Sequence, residues 1–248
     1  MLNFGGKVSV TRTLIVISAL FLNITVFFVL KNIFDFRVSL QEEEKLRKLG
    51  VTIFENARPI RSFTLRTSSN QAFTKNSLQK PLNLFFFGFT ECPDICPLTL
   101  REYSDAVSTE EFATIADSVD FYFVSVDPER DSLEVIASYV DSYSADIFGL
   151  TDLEELKYRA DGGLNLGVST LASELFVSYS DTASLIAGQH KNKEHSHSEF
   201  PAETSRLITH SGHISILNRN GEHMGVLRPP HRSEDLIDAL SLISDNHM

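Results

Sequence analysis

Only two cysteines, Cys92 and Cys96, occur in 248 residues. A pair cannot supply the framework of a disulfide-rich secreted domain, which shows several cysteine pairs at regular spacing, so these two are judged by their local context. Basic residues are also short: 22 Lys and Arg stand against 33 Asp and Glu, a formal charge of −11 at pH 7. Such a chain repels phosphate backbones rather than collecting them, which argues against nucleic acid as a partner. A third shortage is local. From Thr13 to Leu30, "TLIVISALFLNITVFFVL", there is no charge, and Asn23 is the one strongly polar interruption.

At 1.5 Å per residue those 18 positions reach about 27 Å as a helix, close to the hydrocarbon thickness of a bilayer. A cleaved signal peptide would have a shorter apolar region followed by small residues, and Ile33-Phe34-Asp35-Phe36 provides no such cleavage site. A buried soluble helix would keep a polar face, which is missing. The stretch therefore reads as an uncleaved transmembrane anchor. Its flanks do not orient it: Lys7 and Arg12 precede it, while Lys31, Arg37, Lys45, Arg47 and Lys48 follow.

The expected organisation is a tail over residues 1–12, the anchor over 13–30, a charged stalk over 31–50 and a folded domain over 51–248. The chain has room for one domain of ordinary size, and its 42% of hydrophobic residues suits a packed core. Within the domain, Leu82 to Phe87 and Phe121 to Val126 are continuous apolar runs of the kind that form strands buried on both faces. Shorter strands are expected at Phe63 to Leu65, Ile147 to Leu150, His213 to Asn218 and Met224 to Leu227, the last two joined at Asn220-Gly221. Helices are expected after Pro97, from Ser132 to Tyr143, from Leu153 to Ala160, and from a Ser233 cap to Ile243. Strands alternating with helices, closing on a hairpin and a helix, predict a three-layer α/β domain whose ligands bind at the carboxyl ends of strands. Residues 188–205, polar and without periodicity, carry His190, His195 and His197 and read as an inserted flexible loop.

Cys92 and Cys96 fall where a buried strand gives way to a helix, a position whose N–H groups and dipole favour thiolate over thiol. Three residues between them leave both a disulfide and a shared metal ion open. If they bind metal, two soft thiolates select Cu(I), or zinc given enough partners, and a third ligand is to be sought among histidines near a strand end, His210 or His213. Asp127 and Asp131 of "DPERD", at the end of the neighbouring strand, either shape the cysteine loop or serve turn and cap chemistry. Arg130 faces an acidic patch or solvent. His190, His195 and His197 suit a weak copper collector or, more simply, a solvated loop. His213 reads as a packed or hydrogen-bonded strand residue, and His223 and His231 as parts of the hairpin and the turn after it.

Taken together, "FFFGFTECPDICPLTL", "FVSVDPERDS" and "THSGHISILNRNGE" resemble the Sco/SenC family of membrane-anchored, thioredoxin-fold copper proteins that help assemble cytochrome c oxidase. The resemblance runs from about Gly50 to Leu240. It implies a thioredoxin-like fold and copper binding by both cysteines of Cys92-Pro93-Asp94-Ile95-Cys96-Pro97. It implies His210 as the third ligand, because Ser211 follows it and Gly221 closes the hairpin in the family's register, which His213 does not fit. Glu91 replaces a residue that is often histidine, a variation expected to be harmless. The tract from Ala160 to Ile208 is longer and less typical.

The implied function is a copper chaperone for the binuclear copper site of an oxidase subunit. A second chaperone or a thiol–disulfide protein is a further partner. The alternative is a thiol–disulfide oxidoreductase that uses Cys92 and Cys96 to keep a partner's cysteines reduced. A family member lies on the outer face of a bacterial inner membrane, less commonly in the mitochondrial intermembrane space.

Overall fold

The computed structural model describes residues 10–152, 167–181 and 208–247. The chain divides into two compact units, Met1–Lys45 and Leu46–Met248. The first is the greater part of helix α1 (Val10–Lys48), one continuous helix through the apolar run and the charged segment after it. It is long and apolar enough to cross a membrane. The helix expected at 153–160 and the histidine-bearing segment at 188–205 lie outside the described residues.

Among the described residues the second unit has ten strands. In chain order they are β1 (Val51–Pro59), β2 (Thr64–Thr67), β3 (Ala72–Thr74), β4 (Leu82–Gly88), β5 (Val119–Ser125), β6 (Ile147–Thr151), β7 (Tyr179–Asp181), β8 (Ile208–His210), β9 (Ile214–Leu217) and β10 (Glu222–Leu227). Eight of them form one sheet in the order β1-β10-β9-β4-β5-β6-β2-β3, and β7 and β8 form a separate antiparallel pair. The strands β4, β5 and β6 run parallel, and β9 runs antiparallel to β4. Helices α2 (Ile95–Val107) and α4 (Leu133–Asp141) make the parallel crossovers; the short α3 (Glu110–Ala113) and α5 (Val168–Glu174) lie between strands, and α6 (Ser233–His247) follows β10. A strand–helix–strand unit joined to a hairpin and a closing helix is the thioredoxin-like arrangement that the motifs imply.

Every residue of β4 is buried, as its uninterrupted apolar run requires. Successive side chains point to opposite faces. Phe85 stacks on Tyr122 with ring centroids 4.9 Å apart, and Phe63 and Phe73 close over them. On the other face Phe121 meets Tyr103 of α2 at 4.2 Å and Phe123 meets Tyr139 of α4 at 5.4 Å. The helix α6 packs against α2. Its first residue is Ser233, which is therefore not its cap; the Ser233 N–H is instead accepted by Glu102 of α2 at 2.8 Å. The turn between β9 and β10 has Gly221 at φ +68°, the left-handed region that glycine enters without strain.

This topology decides where the site lies. Parallel β4 and β5 end side by side, since Gly88 pairs with Ser125. Antiparallel β9 begins at the same end, with Ile214 opposite Phe86. The segment after β4, the turn after β5 and the segment leading into β9 therefore meet at one edge of the sheet.

Candidate metal centre

The segment after β4 carries Cys92, and Cys96 follows in the first turn of α2. Both are thiols and both are buried, Cys96 at 0% exposure and Cys92 at 9%. The Cys92 N–H donates to the Phe89 carbonyl at 3.2 Å, folding the loop back on the strand end. Cys96 sits directly over Gly88. A Cβ built at that glycine would fall 2.6 Å from the Cys96 sulfur and 2.8 Å from the Phe123 ring, so hydrogen at this position is what lets α2 approach the strand.

The helix start was expected to favour thiolate at both sulfurs. For Cys96 the structure corrects this. A hydrogen bond with Cys92, then burial, then the charge of Cys92 push the Cys96 thiol up, and the bond from the Phe89 backbone only partly opposes them. One helical turn cannot outweigh a neighbouring sulfur that wants the same proton. Cys96 is held as the thiol against Cys92.

The turn after β5 grips the cysteine loop with two adjacent residues. Asp131, 1% exposed, accepts from the Thr90 N–H at 3.1 Å, the Thr90 hydroxyl at 2.6 Å and the Ser125 hydroxyl at 2.6 Å. Burial pushes its carboxyl up, and the bonds from Ser125 and Thr90 hold it back. Arg130 pairs with Glu91 at 2.7 Å, pairs with the buried Asp127, and lies over the Phe89 ring at 5.8 Å. Asp127 in turn donates its N–H to the Ser125 hydroxyl at 3.1 Å. Arg130 thus faces Glu91 and Asp127 rather than solvent alone, and Glu91, taken as a neutral variation, carries one end of this bridge.

The third segment arrives from β8. Tyr179 of β7 pairs with His210, and the Ser211 N–H donates to the Ser178 carbonyl at 3.0 Å. Gly212, two residues on, lies against Ile95, which stands between the cysteines: a Cβ on Gly212 would be 3.2 Å from the Ile95 side chain. From beneath, His231 donates Nε2–H to the Gly212 carbonyl at 2.7 Å and packs edge-on to Phe86, so it braces this corner. His213 turns away to the Leu175 carbonyl at 3.4 Å. His223 is buried between Phe54 and Phe176 and donates to the Gly225 carbonyl. Burial pushes the pKa of all three down.

The backbone thus brings the His210 strand toward the cysteine pair, while His213, His223 and His231 are engaged elsewhere. Among the described residues no group of three His, Cys, Asp or Glu side chains is gathered closely enough to hold a metal ion. The His210 side chain is not among those described. Four contributors were not singled out from the sequence: Thr90, Ser125, Gly88 and Gly212. A glycine ending a buried strand four residues before a cysteine was the one local signal available.

A protein-family model described as SCO1/SenC matches residues 53–161. A Stutzerimonas stutzeri protein named for copper binding is 25% identical over 209 residues, covering 84% of this chain and 88% of its own length. The human mitochondrial SCO1 homolog is 33% identical over 114 residues, covering 46% of this chain and 36% of that protein, so here the chain spans little more than a third of its relative. Among solved structures, Arabidopsis thaliana ScoI with copper bound superposes with a TM-score of 0.56 at 22% identity, over 75% of this chain and 98% of that one. Yeast Sco1 with copper bound gives 0.58 at 19% identity, over 77% and 91%. At these identities the two structures speak for the fold alone. The matched segment spans both the cysteine loop and the turn that grips it, and over that segment the chain is similar to the SCO1/SenC family.

Proposed function

We propose that this protein is a membrane-anchored copper chaperone that carries the ion on Cys92, Cys96 and His210 and passes it to the binuclear copper site of an oxidase subunit. The observation that carries the reading is the convergence at one sheet edge: two cysteines at the β4–α2 junction, and Gly212 of the His210 segment packed against Ile95 between them. The Stutzerimonas relative named for copper binding supports the choice of cargo.

The donor set suits copper. Two sulfurs and one imidazole give a three-coordinate site that takes Cu(I) and, with an added donor, Cu(II), whereas a structural zinc site asks for a fourth protein ligand. Binding as two thiolates requires both Cys92 and Cys96 to lose their protons, so copper uptake releases protons and weakens as pH falls. A site of only three protein donors suits transfer by ligand exchange, a partner's thiolate replacing one donor at a time. Residues 13–30 would hold the chain in the membrane and 31–50 would form the stalk. The domain would face the periplasm from a bacterial inner membrane.

The test is to load the full chain, purified in detergent, with Cu(II) and record sulfur-to-copper charge-transfer absorption. The band is expected in the natural protein and in His213→Ala, and lost in His210→Ala; the reverse pattern would overturn the ligand assignment. The hydrogen bond between Cys92 and Cys96 also favours a second reading, a thiol–disulfide oxidoreductase. In that reaction the two thiols become a disulfide, giving up two electrons and two protons that reduce a partner's disulfide to two thiols. It predicts partner reduction that survives His210→Ala.

A further inference from the structure

We propose that Asp131 is a positioning residue for Cys92: its carboxylate clamps Thr90 and thereby sets how far the Cys92 sulfur stands from Cys96. The inference rests on the copper reading for its consequence in binding, though not for its geometry.

The two sulfurs are held by different devices. Cys96 belongs to α2 and is pressed onto Gly88 and Phe123, so the helix and the sheet fix it. Cys92 precedes the helix, in a loop whose own backbone bond is the one to Phe89. What steadies that loop comes from the neighbouring turn. A carboxylate serving only its own turn would accept from N–H groups within it. Asp131 instead accepts both the backbone N–H and the hydroxyl of Thr90, 41 residues away, and the hydroxyl of Ser125 at the end of β5.

Thr90 is thus fixed at its main chain and its side chain by one buried group, and Arg130 takes the next residue, Glu91, from the same turn. The chain enters Cys92 with two successive residues held. A carboxylate 1% exposed stays in place because three donors satisfy it, so the clamp is rigid while those donors remain. Thr90→Val removes one donor and keeps the shape; Thr90→Ser restores it. Asp131→Asn trades an acceptor oxygen for an N–H₂ that cannot accept from Thr90 and Ser125 together.

The experiment uses the full chain in detergent with two readouts. The first is retention of Cu(I) against the chelator bathocuproine disulfonate. The second, on metal-free protein carrying Cys96→Ser, is the rate at which iodoacetamide alkylates Cys92. In Thr90→Val and Asp131→Asn, copper retention is expected to weaken at least tenfold and alkylation to quicken several-fold. Thr90→Ser should behave as the natural residue, and the double variant Thr90→Val/Asp131→Asn should be no worse than the more severe single one. Unchanged alkylation in Thr90→Val, with or without a change in copper retention, overturns the clamp, as does full additivity of the two substitutions. If the natural protein fails to retain Cu(I), the copper reading falls while the alkylation series still decides the clamp. Should Asp131→Asn not fold, the Thr90→Val and Thr90→Ser pair carries the test alone.

Discussion

Replacing Gly88 by alanine probes how closely Cys96 is seated. The added Cβ would lie 2.6 Å from the Cys96 sulfur and 2.8 Å from Cε2 of Phe123. Comfortable contacts between such atoms fall at about 3.5–4.0 Å, so each neighbour must yield by roughly 1 Å. Neither is the tip of a flexible chain: the sulfur sits on the first turn of α2 and the ring is at 0% exposure between strand and helix. Overpacking of this kind costs about 1–3 kcal/mol. The assay is urea unfolding of the soluble unit within the full chain, followed by near-ultraviolet circular dichroism, for Gly88→Ala, Cys96→Ala and both together. Cys96→Ala opens the space that the new methyl would occupy. Gly88→Ala should therefore cost less in that background, with a coupling of about 1 kcal/mol. The remainder reports the clash with Phe123. A Gly88→Ala variant as stable as the natural protein, or equal costs in both backgrounds, would refute the seating of Cys96 on the strand.

Three further perturbations follow from the charges. His223 is fully buried and its pKa is lowered from 6.5 to about 4, chiefly by burial. Between those values the unfolded chain binds a proton that the folded one refuses, so its contribution is full above pH 6.5 and stability falls by about 3 kcal/mol as pH drops to 4. His223→Gln should flatten that part of the stability profile, and an unchanged slope would contradict its burial as a neutral group. At the rim, Glu91→Gln should cost under about 1 kcal/mol and vanish in 1 M salt, since Glu91 is 64% exposed. Arg130→Met should cost about 1–3 kcal/mol, because it strips a partner from the buried Asp127; equal effects of the two substitutions in a denaturation series would contradict this asymmetry.

Much of the framework was legible because burial on both faces writes an unmistakable pattern. The apolar runs around Phe85 and Phe121 could only be central strands, and their ends had to carry the cysteines and the "DPERD" turn to one edge. Short elements such as β3, α3 and β7 were not legible, since three or four residues hold too few periods to separate strand from helix or turn. The thiolate expectation failed at Cys96 for a different reason. The helix dipole can be read from position, but the hydrogen bond to Cys92 that outweighs it depends on where the loop returns, and that is set by Asp131 and Thr90, far apart in sequence. The choice between turn chemistry and loop shaping for Asp131 likewise needed three dimensions, because its donors lie on other segments. The role of Gly212 was hidden in the same way: it appears only when β9 returns beside β4 and brings Gly212 to Ile95.

The central claim is that Cys92, Cys96 and His210 together hold copper, and X-ray absorption at the copper edge counts those ligands directly. On the full chain loaded with one equivalent of copper, the account predicts two sulfur scatterers and one imidazole in the natural protein. It predicts loss of the imidazole in His210→Ala alone, with His213→Ala unchanged. A spectrum with fewer than two sulfurs, or one in which His210→Ala keeps its imidazole, would contradict it.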